Sequence, residues 1–326
     1  MRSWADHMEG GKSVNRREFL ITAAAGMAAG TQAWSAPVAE RITVSASKLP
    51  RWRGFNITDK CVADYAKPFR ETDFEWMAEW GFDFARIPMD YRNWSESSDP
   101  LSFREDGMKE IDQVIELGRK HKIHVNLNHH RAFGYSVNPP KEALDLWTDE
   151  KAQDIASAHW GMFARQYKGI PNSRLSFDLF NEPAVIPEAS YVKVVKRMVE
   201  AIRAEDPDRL VIADGLKWGR EPVHGLVGLG IGQSTRGYDP MQISHYKASW
   251  VGKNDQWPVP TWPLKLKETD IWDRERLRKE RIVPWKALEK EGVGVHVGEW
   301  GAFSYTPHDA VMAWMKIGRA SCRERV

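Results

Sequence analysis

The chain has 326 residues, of which 42% are hydrophobic and 28% are charged, and its mean hydropathy is −0.54. This composition is typical of a soluble globular protein, and it excludes a mini-protein, a disordered chain and a multi-span membrane protein, while two cysteines cannot form a disulfide framework. The formal net charge of +2 becomes −1 for residues 40–316 once the two ends are set aside, so charge gives no indication of nucleic-acid binding.

The first 39 residues predict an export signal. Arg16 and Arg17 precede Phe19, Leu20 and a small, apolar run over residues 21–30 that is too short to span a bilayer. The pattern resembles a twin-arginine signal, and a short buried helix is the less favoured alternative. We therefore expect residues 1–39 to be a signal peptide with an approximate end, and the protein to be periplasmic or extracellular, without integral membrane association.

Residues 40–316 alternate between strand-like and helix-like segments, which predicts an α/β fold with a parallel sheet. Seven strands are expected, at Gly54–Ile57, Phe82–Ile87, Ile123–Asn128, Leu175–Phe180, Leu210–Ala213, Met241–His245 and Val293–Val297. An apolar stripe over residues 191–202 predicts a helix, as do shorter signals near residues 108–115, after Thr148, and between Pro284 and Gly292. Seven strands are one fewer than a closed barrel needs, so we expect a (β/α)8 TIM barrel whose eighth βα unit is missing from this chain.

The last ten residues, 317–326, match the translation of a common sequencing adapter at every codon. We therefore expect them to be an artefact, joined to a gene fragment that breaks off near Lys316. The expected break agrees with the missing strand. A chain without that strand could bind a ligand without turning it over, or do neither.

Two glutamates follow predicted strands at the end where barrel enzymes carry their catalytic groups. Glu182 follows the fourth strand, between Asn181 and Pro183, and Glu299 follows the seventh. Each alone is a weak signal, because Asn-Glu-Pro is also an ordinary turn and a lone glutamate usually lies on the surface. Together they are what glycosidic cleavage needs, since one carboxyl group donates a proton while the other attacks or activates water.

With these positions in place, six segments resemble the family 5 glycoside hydrolases, the cellulase-like members of a retaining clan. They are Arg53–Asn56, Gly81–Met89, His129–Tyr135, Asn181–Pro183, His245–Tyr246 and Gly298–Gly301, in the order that the family has them. The resemblance covers about residues 52–316. It implies a retaining, endo-acting β-glycoside hydrolase that cleaves β-1,4-glucan or a related polysaccharide or oligosaccharide, with no cofactor.

The resemblance also implies a role for each matching residue. Glu182 is the expected general acid/base, and Glu299 is the expected nucleophile. Arg86 is expected to keep Glu299 ionised, and Asn181 to bond the 2-hydroxyl of the sugar. Three further side chains are expected around the cleaved sugar, with the tyrosine donating its hydroxyl toward the nucleophile: His130, His245 and Tyr246.

The match departs from the family in three places. His129 stands beside His130, where Phe133 also replaces the usual proline, so the identity of the conserved histidine is open and His130 is preferred. The sixth-strand motif is commonly His-x-Tyr, whereas His245 and Tyr246 are adjacent, so we expect one of them to be displaced. The aromatic platform after strand eight is absent.

Several alternatives stay open at this point. A metal site is disfavoured because no paired-ligand helix motif joins the four candidate histidines, His121, His124, His129 and His130. Stacking on sugar rings and packing of a loop are equally compatible with four proline-flanked tryptophans, Trp250, Trp257, Trp262 and Trp272. The rival functions are a carbohydrate-binding pseudoenzyme, and a retaining β-mannanase or exo-β-glucanase of the same fold.

Overall fold

A parallel sheet forms the frame of the molecule in the computed structural model, which describes residues 44–96, 98–252 and 254–323. The strands are β1 (Gly54–Asn56), β2 (Phe84–Asp90), β3 (His124–Ala132), β4 (Tyr135–Ser136), β5 (Leu175–Asp178), β6 (Val211–Asp214), β7 (Gly232–Gly237), β8 (Leu264–Lys267), β9 (Asp270–Trp272) and β10 (Val295–Trp300). Their parallel order is β1-β2-β3-β5-β6-β7-β10, and β4 pairs antiparallel with β3, as β8 does with β9. The order confirms the TIM-barrel fold.

Helices connect the strands and pack outside the sheet. Those of eight or more residues are α1 (Glu71–Glu79), α2 (Glu105–His121), α3 (Glu150–Gln166), α4 (Glu188–Glu205), α5 (Val283–Lys290) and α6 (His308–Arg323). Shorter helical segments lie at Ala63–Tyr65, Tyr91–Asn93, Leu216–Gly219, His224–Leu226, Met241–Ser244, Asn254–Gln256, Arg274–Leu277 and Arg278–Ile282. The four helices from α1 through α4 pack against the strands in one large apolar cluster.

The helix predictions are confirmed where the apolar stripe was clear. In α4 all six stripe residues are buried: Tyr191, Val194, Val195, Met198, Val199 and Ile202. Pro284 lies in the first turn of α5, and Gly292 follows its end in a left-handed conformation. The helix expected after Thr148 is confirmed as α3, and the side chain of Asp149 caps it by accepting from the amide of Ala152.

The prediction of the sixth strand is wrong. Residues 241–244 form a helical turn after Pro240, and the sixth parallel strand is β7, which begins nine residues before the expected strand. Its sequence, Gly232–Gly237, is polar, so hydrophobic periodicity does not reveal it. The barrel interior supplies partners instead: the amide of Gln233 exchanges two hydrogen bonds with the backbone of Val223.

The sheet is open between β10 and β1, which are not paired with each other among the described residues. The side-chain amide of Asn56 donates to the carbonyl of Gly298 across this opening, at 3.2 Å. Phe55 on β1 and Val297 on β10 are partly exposed beside it. Seven parallel strands are therefore present in the described part of the chain, and the expected continuation of the gene stays a prediction.

The fold does not test the predictions made for the two ends of the sequence, an export signal and an adapter-derived tail. The export signal over residues 1–39 lies outside the described residues. The backbone of the adapter-like segment is described as far as Arg323, where it continues α6, and this says nothing of its origin.

Candidate active site

A cleft of about 430 Å³ opens where the strands end. The residues that line this cleft lie at the ends of β3, β5, β7 and β10 and in the segments that follow these strands. Its lining is mixed, with carboxyl groups, guanidinium groups and aromatic rings: His130, Val137, Asn138, Asn181, Glu182, Trp218, Arg220, Arg236, Tyr238, Asp239, Met241, His245, Trp250 and Glu299. Such a concave site with converging polar groups is suited to a small or chain-like ligand.

Glu182 stands just after β5 in a left-handed backbone conformation, with φ of 49°. Its amide donates to Asp214 at 2.8 Å, which fixes the turn, and its side chain is 18% exposed toward the cleft. Burial raises the pKa of Glu182 to about 7, against the opposing charge of Arg236 and with the help of the negative charge on Glu299. The carboxyl group therefore keeps its proton near neutral pH.

Glu299 lies on β10, where a bulge after Val297 shifts the register against β7. One carboxylate oxygen accepts from Arg86 at 2.5 Å, and the other accepts from the Tyr238 hydroxyl at 3.0 Å. Burial alone would raise the pKa of Glu299, but the charges of Arg236 and Arg86 outweigh it and lower that pKa to about 2. Between about pH 2 and pH 7, Glu299 is therefore ionised while Glu182 is protonated.

Two buried arginines stand behind these carboxyl groups. Arg86 on β2 donates to Asp178 at 2.8 Å, and Arg236 on β7 donates to Asp214 through two guanidinium nitrogens. Two cations thus face four carboxyl groups, the two aspartates and the two cleft glutamates. Full ionisation would leave excess negative charge in a buried space, and a proton on Glu182 relieves part of it.

Asn181 is held between the same two arginines. Its side-chain oxygen accepts from Arg86 and from Arg236, at 3.0 Å each, and the residue is almost fully buried. Because both donors require an oxygen, the amide nitrogen is the atom left to donate toward the cleft. The arrangement suits a hydroxyl group placed between the two glutamates.

Two histidines line the cleft. His130 contacts Asn138 through Nε2 at 3.2 Å, and burial lowers its pKa to about 4. His245 contacts Ser244 through Nδ1 at 2.7 Å, and burial also lowers its pKa. Both imidazoles are therefore neutral at pH 7, and each can exchange a hydrogen bond with a hydroxyl.

The model of the family described as Cellulase (glycosyl hydrolase family 5) matches residues 43–321. The chain belongs to this family. It is an O-glycosyl hydrolase.

Several relatives of known name or structure are similar to this family 5 chain. Cellodextrinase A of Ruminococcus flavefaciens is 26% identical over 261 residues, which cover 76% of this chain and 73% of the relative. Endoglucanase C of Acetivibrio thermocellus is 24% identical over 270 residues, 75% of this chain and 77% of the relative. A crystal structure of a glycoside hydrolase has a TM-score of 0.78 and 36% identity, over 82% of this chain and 83% of that one. Endoglucanase Cel5A of Thermotoga maritima shares the fold, with a TM-score of 0.70 and 21% identity over 84% and 86% of the two chains.

The structure brings most of the residues that the family 5 resemblance singled out into one cleft. Five of them lie at the cleft or directly behind it: Glu182, Glu299, Arg86, Asn181 and His130. His245 also lines it. His129, the neighbour of His130, instead stacks on Trp160 in the core, with ring centroids 3.9 Å apart.

The placement of Tyr246 is corrected. Tyr246 is 6% exposed and contacts Lys247, outside the cleft lining, and the hydroxyl that reaches Glu299 belongs to Tyr238. The reason is the misplaced strand: with β7 ending at Gly237, the His-x-Tyr position of the family reads Arg236-Gly237-Tyr238. Arg236 and Tyr238 were not predicted from the sequence for the same reason. The tyrosine two residues after the first motif position could have indicated them, because Tyr238 has that spacing from Arg236.

Of the four proline-flanked tryptophans, one is placed to stack on a sugar ring and two pack a loop. Trp250 is 65% exposed and lines the cleft. Trp272 is buried in a small apolar cluster, against which Trp262 also packs. Trp257 is half-buried outside the cleft lining. Trp218, which the sequence did not single out, lines the cleft with a left-handed backbone, its amide donating to the carbonyl of Pro183.

The four candidate metal histidines are not brought together. His130 lies at the cleft and His129 in the core, while His124 contacts Ser176 in the sheet interior. His121, on the outside, contacts Glu71 at 2.9 Å and forms with Glu71 and Glu75 a group whose ligand atoms are close enough for a metal ion, although Lys120 also bonds Glu71. No helix in the described residues is long and apolar enough to cross a membrane.

Proposed function

We propose that this family 5 enzyme is a retaining, endo-acting β-glycoside hydrolase that cleaves β-1,4-glucan or a related polysaccharide. One observation carries the proposal: two carboxyl groups face one cleft, with the pKa of Glu182 raised to about 7 and that of Glu299 lowered to about 2. A protonated acid beside an ionised nucleophile is the pairing that double displacement requires.

In the first half of the reaction, a Glu299 oxygen attacks the anomeric carbon while the bond to the leaving oxygen breaks. That oxygen takes the proton of Glu182, so the products are a glycosyl ester on Glu299 and a carboxylate at Glu182. In the second half, Glu182 removes a proton from water, and the hydroxide oxygen displaces Glu299. The amide nitrogen of Asn181 would donate to the sugar 2-hydroxyl throughout.

The substrate class follows from the relatives and from the cleft. Relatives named as an endoglucanase and as a cellodextrinase support a glucan substrate, and the endoglucanase name supports cleavage within a chain. The exposed ring of Trp250 and the ring of Trp218 offer apolar faces against which the C–H face of a pyranose can stack. A β-mannanase is the second candidate, because Thermotoga maritima Cel5A has been crystallised with mannotriose as well as with cellobiose.

Turnover of glucan, mannan and xylan oligosaccharides tests this proposal. We expect cleavage of cello-oligosaccharides at internal bonds, with the β-anomer as the first product by NMR, and loss of turnover in Glu182→Gln and Glu299→Gln. First release of the α-anomer would refute retention. Full activity in either variant would refute the assignment of the carboxyl groups, and binding without cleavage by the folded chain would favour the pseudoenzyme.

We also propose export by the twin-arginine route. The support is the Arg16-Arg17 pair ahead of the weakly hydrophobic run. Replacing both arginines by lysine should retain the protein in the cytoplasm of a host that has the pathway, as followed by cell fractionation. Unchanged export of that variant would contradict the proposal.

A further inference from the structure

Arg236 contacts both carboxyl groups of the cleft. Its Nε lies 3.1 Å from Glu182 Oε1, and its Nη2 lies 3.5 Å from Glu299 Oε1. Arg86, the other buried arginine, contacts Glu299 and makes no hydrogen bond or ion pair with Glu182 among the described residues. One planar cation therefore spans the two groups whose charges change during the reaction.

The guanidinium group of Arg236 is fixed in this position. Nη1 donates to Asp214 at 2.9 Å and to Ser234 at 3.0 Å, and Nη2 donates to Asp214 and to Asn181. Space for it depends on Gly298, where a Cβ would lie 2.7 Å from Nη1. A guanidinium group that donates to Asp214, Ser234, Asn181 and Glu182 is pre-organised rather than recruited by the ligand.

An arginine here is a departure of this chain from the pattern of its family. The expected sixth-strand motif is His-x-Tyr, and β7 carries Arg236 at the histidine position with Tyr238 in its place two residues later. A histidine can be neutral at working pH, whereas an arginine cannot. This chain therefore keeps a permanent positive charge between its two cleft carboxyl groups.

The proposed reaction, on which this inference rests, moves one negative charge across the cleft. Before attack the charge is on Glu299, and Glu182 holds a proton. After attack Glu299 is a neutral ester, and Glu182, having given its proton to the leaving oxygen, is a carboxylate. The charge thus passes from the Nη2 end of the Arg236 group to its Nε end, and the cation need not move.

We propose that Arg236 is a positioning residue for both half-reactions, stabilising the Glu299 carboxylate before attack and the Glu182 carboxylate once the ester has formed. In the second role it holds Glu182 ionised while water is activated. Of the two cleft glutamates, Arg86 and Tyr238 donate hydrogen bonds only to Glu299, so they act on Glu182 through space alone.

Other charged groups face Glu182 and enter any titration of it. Asp214 accepts from its amide, and Arg86 lies buried behind the cleft, bonded to Glu299. The negative charge of Glu182 also raises the pKa of Tyr135 and of Tyr238. The test therefore has to change the charge of Arg236 without leaving Asp214 unpaired, since an unpaired buried charge is strongly destabilising. Arg236→Gln combined with Asp214→Asn removes one charge of each sign.

The experiment is a carbon-13 NMR titration of labelled glutamate side chains in the full chain, with the Glu182 signal assigned by Glu182→Gln. Glu299→Gln makes the nucleophile neutral, as the ester does. In that background we expect the pKa of Glu182 to fall from about 7 by at least about one unit, because the negative charge of Glu299, which raises it, is gone while the positive charge of Arg236, which lowers it, remains. Adding Arg236→Gln with Asp214→Asn should return it to about 7 or above, and Arg236→Lys should keep it low.

Tyr238→Phe is the matched control, because Tyr238 donates to Glu299 and not to Glu182; in the Glu299→Gln background it should leave the pKa of Glu182 unchanged. A pKa of Glu182 that is the same with and without Arg236 would overturn the proposal. If the double replacement does not fold, Glu299→Gln alone decides. Burial by itself keeps the pKa of Glu182 above its ordinary value of 4.5, so a pKa below 4.5 requires a cation in contact and supports the proposal, whereas a pKa still above 4.5 would overturn it. Absence of β-glycoside turnover would instead refute the proposed function, which this titration does not measure.

Discussion

Replacing Glu182 by glutamine should stabilise the protein, and only above about pH 5. The carboxyl group is 82% shielded from solvent beside Asp214 and Glu299, and its pKa is raised from 4.5 to about 7. Since the folded chain binds this proton more tightly than the unfolded chain does, its contribution to stability is complete below pH 4.5. That contribution is lost as the pH rises through about 7.

The magnitude follows from the size of the shift. A difference of about 2.5 units corresponds to about 3 kcal/mol of folding free energy, lost when Glu182 ionises in the folded protein. Glutamine copies the neutral form, and its side-chain oxygen can still accept from Arg236. We therefore expect Glu182→Gln to match the wild type at pH 4 and to exceed its stability by about 3 kcal/mol at pH 8.5, which for a chain of this size is roughly 6 °C in the unfolding midpoint.

Thermal and urea unfolding at a series of pH values measure this difference directly. Glu200→Gln, which changes an exposed glutamate on α4, is the matched control and should show the same small difference from the wild type at every pH. A gap between Glu182→Gln and the wild type that does not change between pH 4 and pH 8.5 would refute the reasoning. So would destabilisation of the variant at the higher pH.

Three further outcomes follow from the cleft. Tyr238→Phe removes a hydrogen bond to a carboxylate and should lower kcat/KM by about tenfold to a hundredfold, whereas Tyr246→Phe should behave as the wild type; steady-state kinetics on one cello-oligosaccharide compare them. Trp250→Ala should raise KM with little change in kcat or unfolding midpoint, and Trp272→Ala should cost about 3–5 kcal/mol of stability; the reverse pattern would contradict their placement. The alkaline limb of the pH profile of kcat/KM should lie near pH 7, and activity rising beyond pH 9 would exclude Glu182 as the acid.

The sequence predicts those features of the structure that produce a pattern among residues close together in the chain. The stripe over residues 191–202 gave α4, because burying one face of a helix imposes a spacing of three and four residues. Glu182 and Glu299 could be found because each follows a recognisable strand. Arg86 and Asn181 followed from the family motif, and the structure shows them contacting each other.

What could not be predicted depended on contacts between distant parts of the chain. β7 is buried yet polar, because Gln233 and Arg236 are paired with Val223, Asp214 and Glu182 from other segments. Hydrophobic periodicity within a strand does not indicate that its polar side chains have partners in distant segments. Placing the sixth strand too late moved the tyrosine assignment from Tyr238 to Tyr246 and left the arginine unnoticed.

In the proposed mechanism, Glu299 attacks the sugar while Glu182 supplies the proton. Trapping the intermediate with a fluorinated cellobioside that glycosylates quickly and hydrolyses slowly tests it most directly, followed by peptide mass spectrometry. We expect one sugar per chain, attached to the peptide that contains Glu299, and no label in Glu299→Gln. A label on Glu182, or turnover of cello-oligosaccharides with no covalent adduct on either glutamate, would contradict the account.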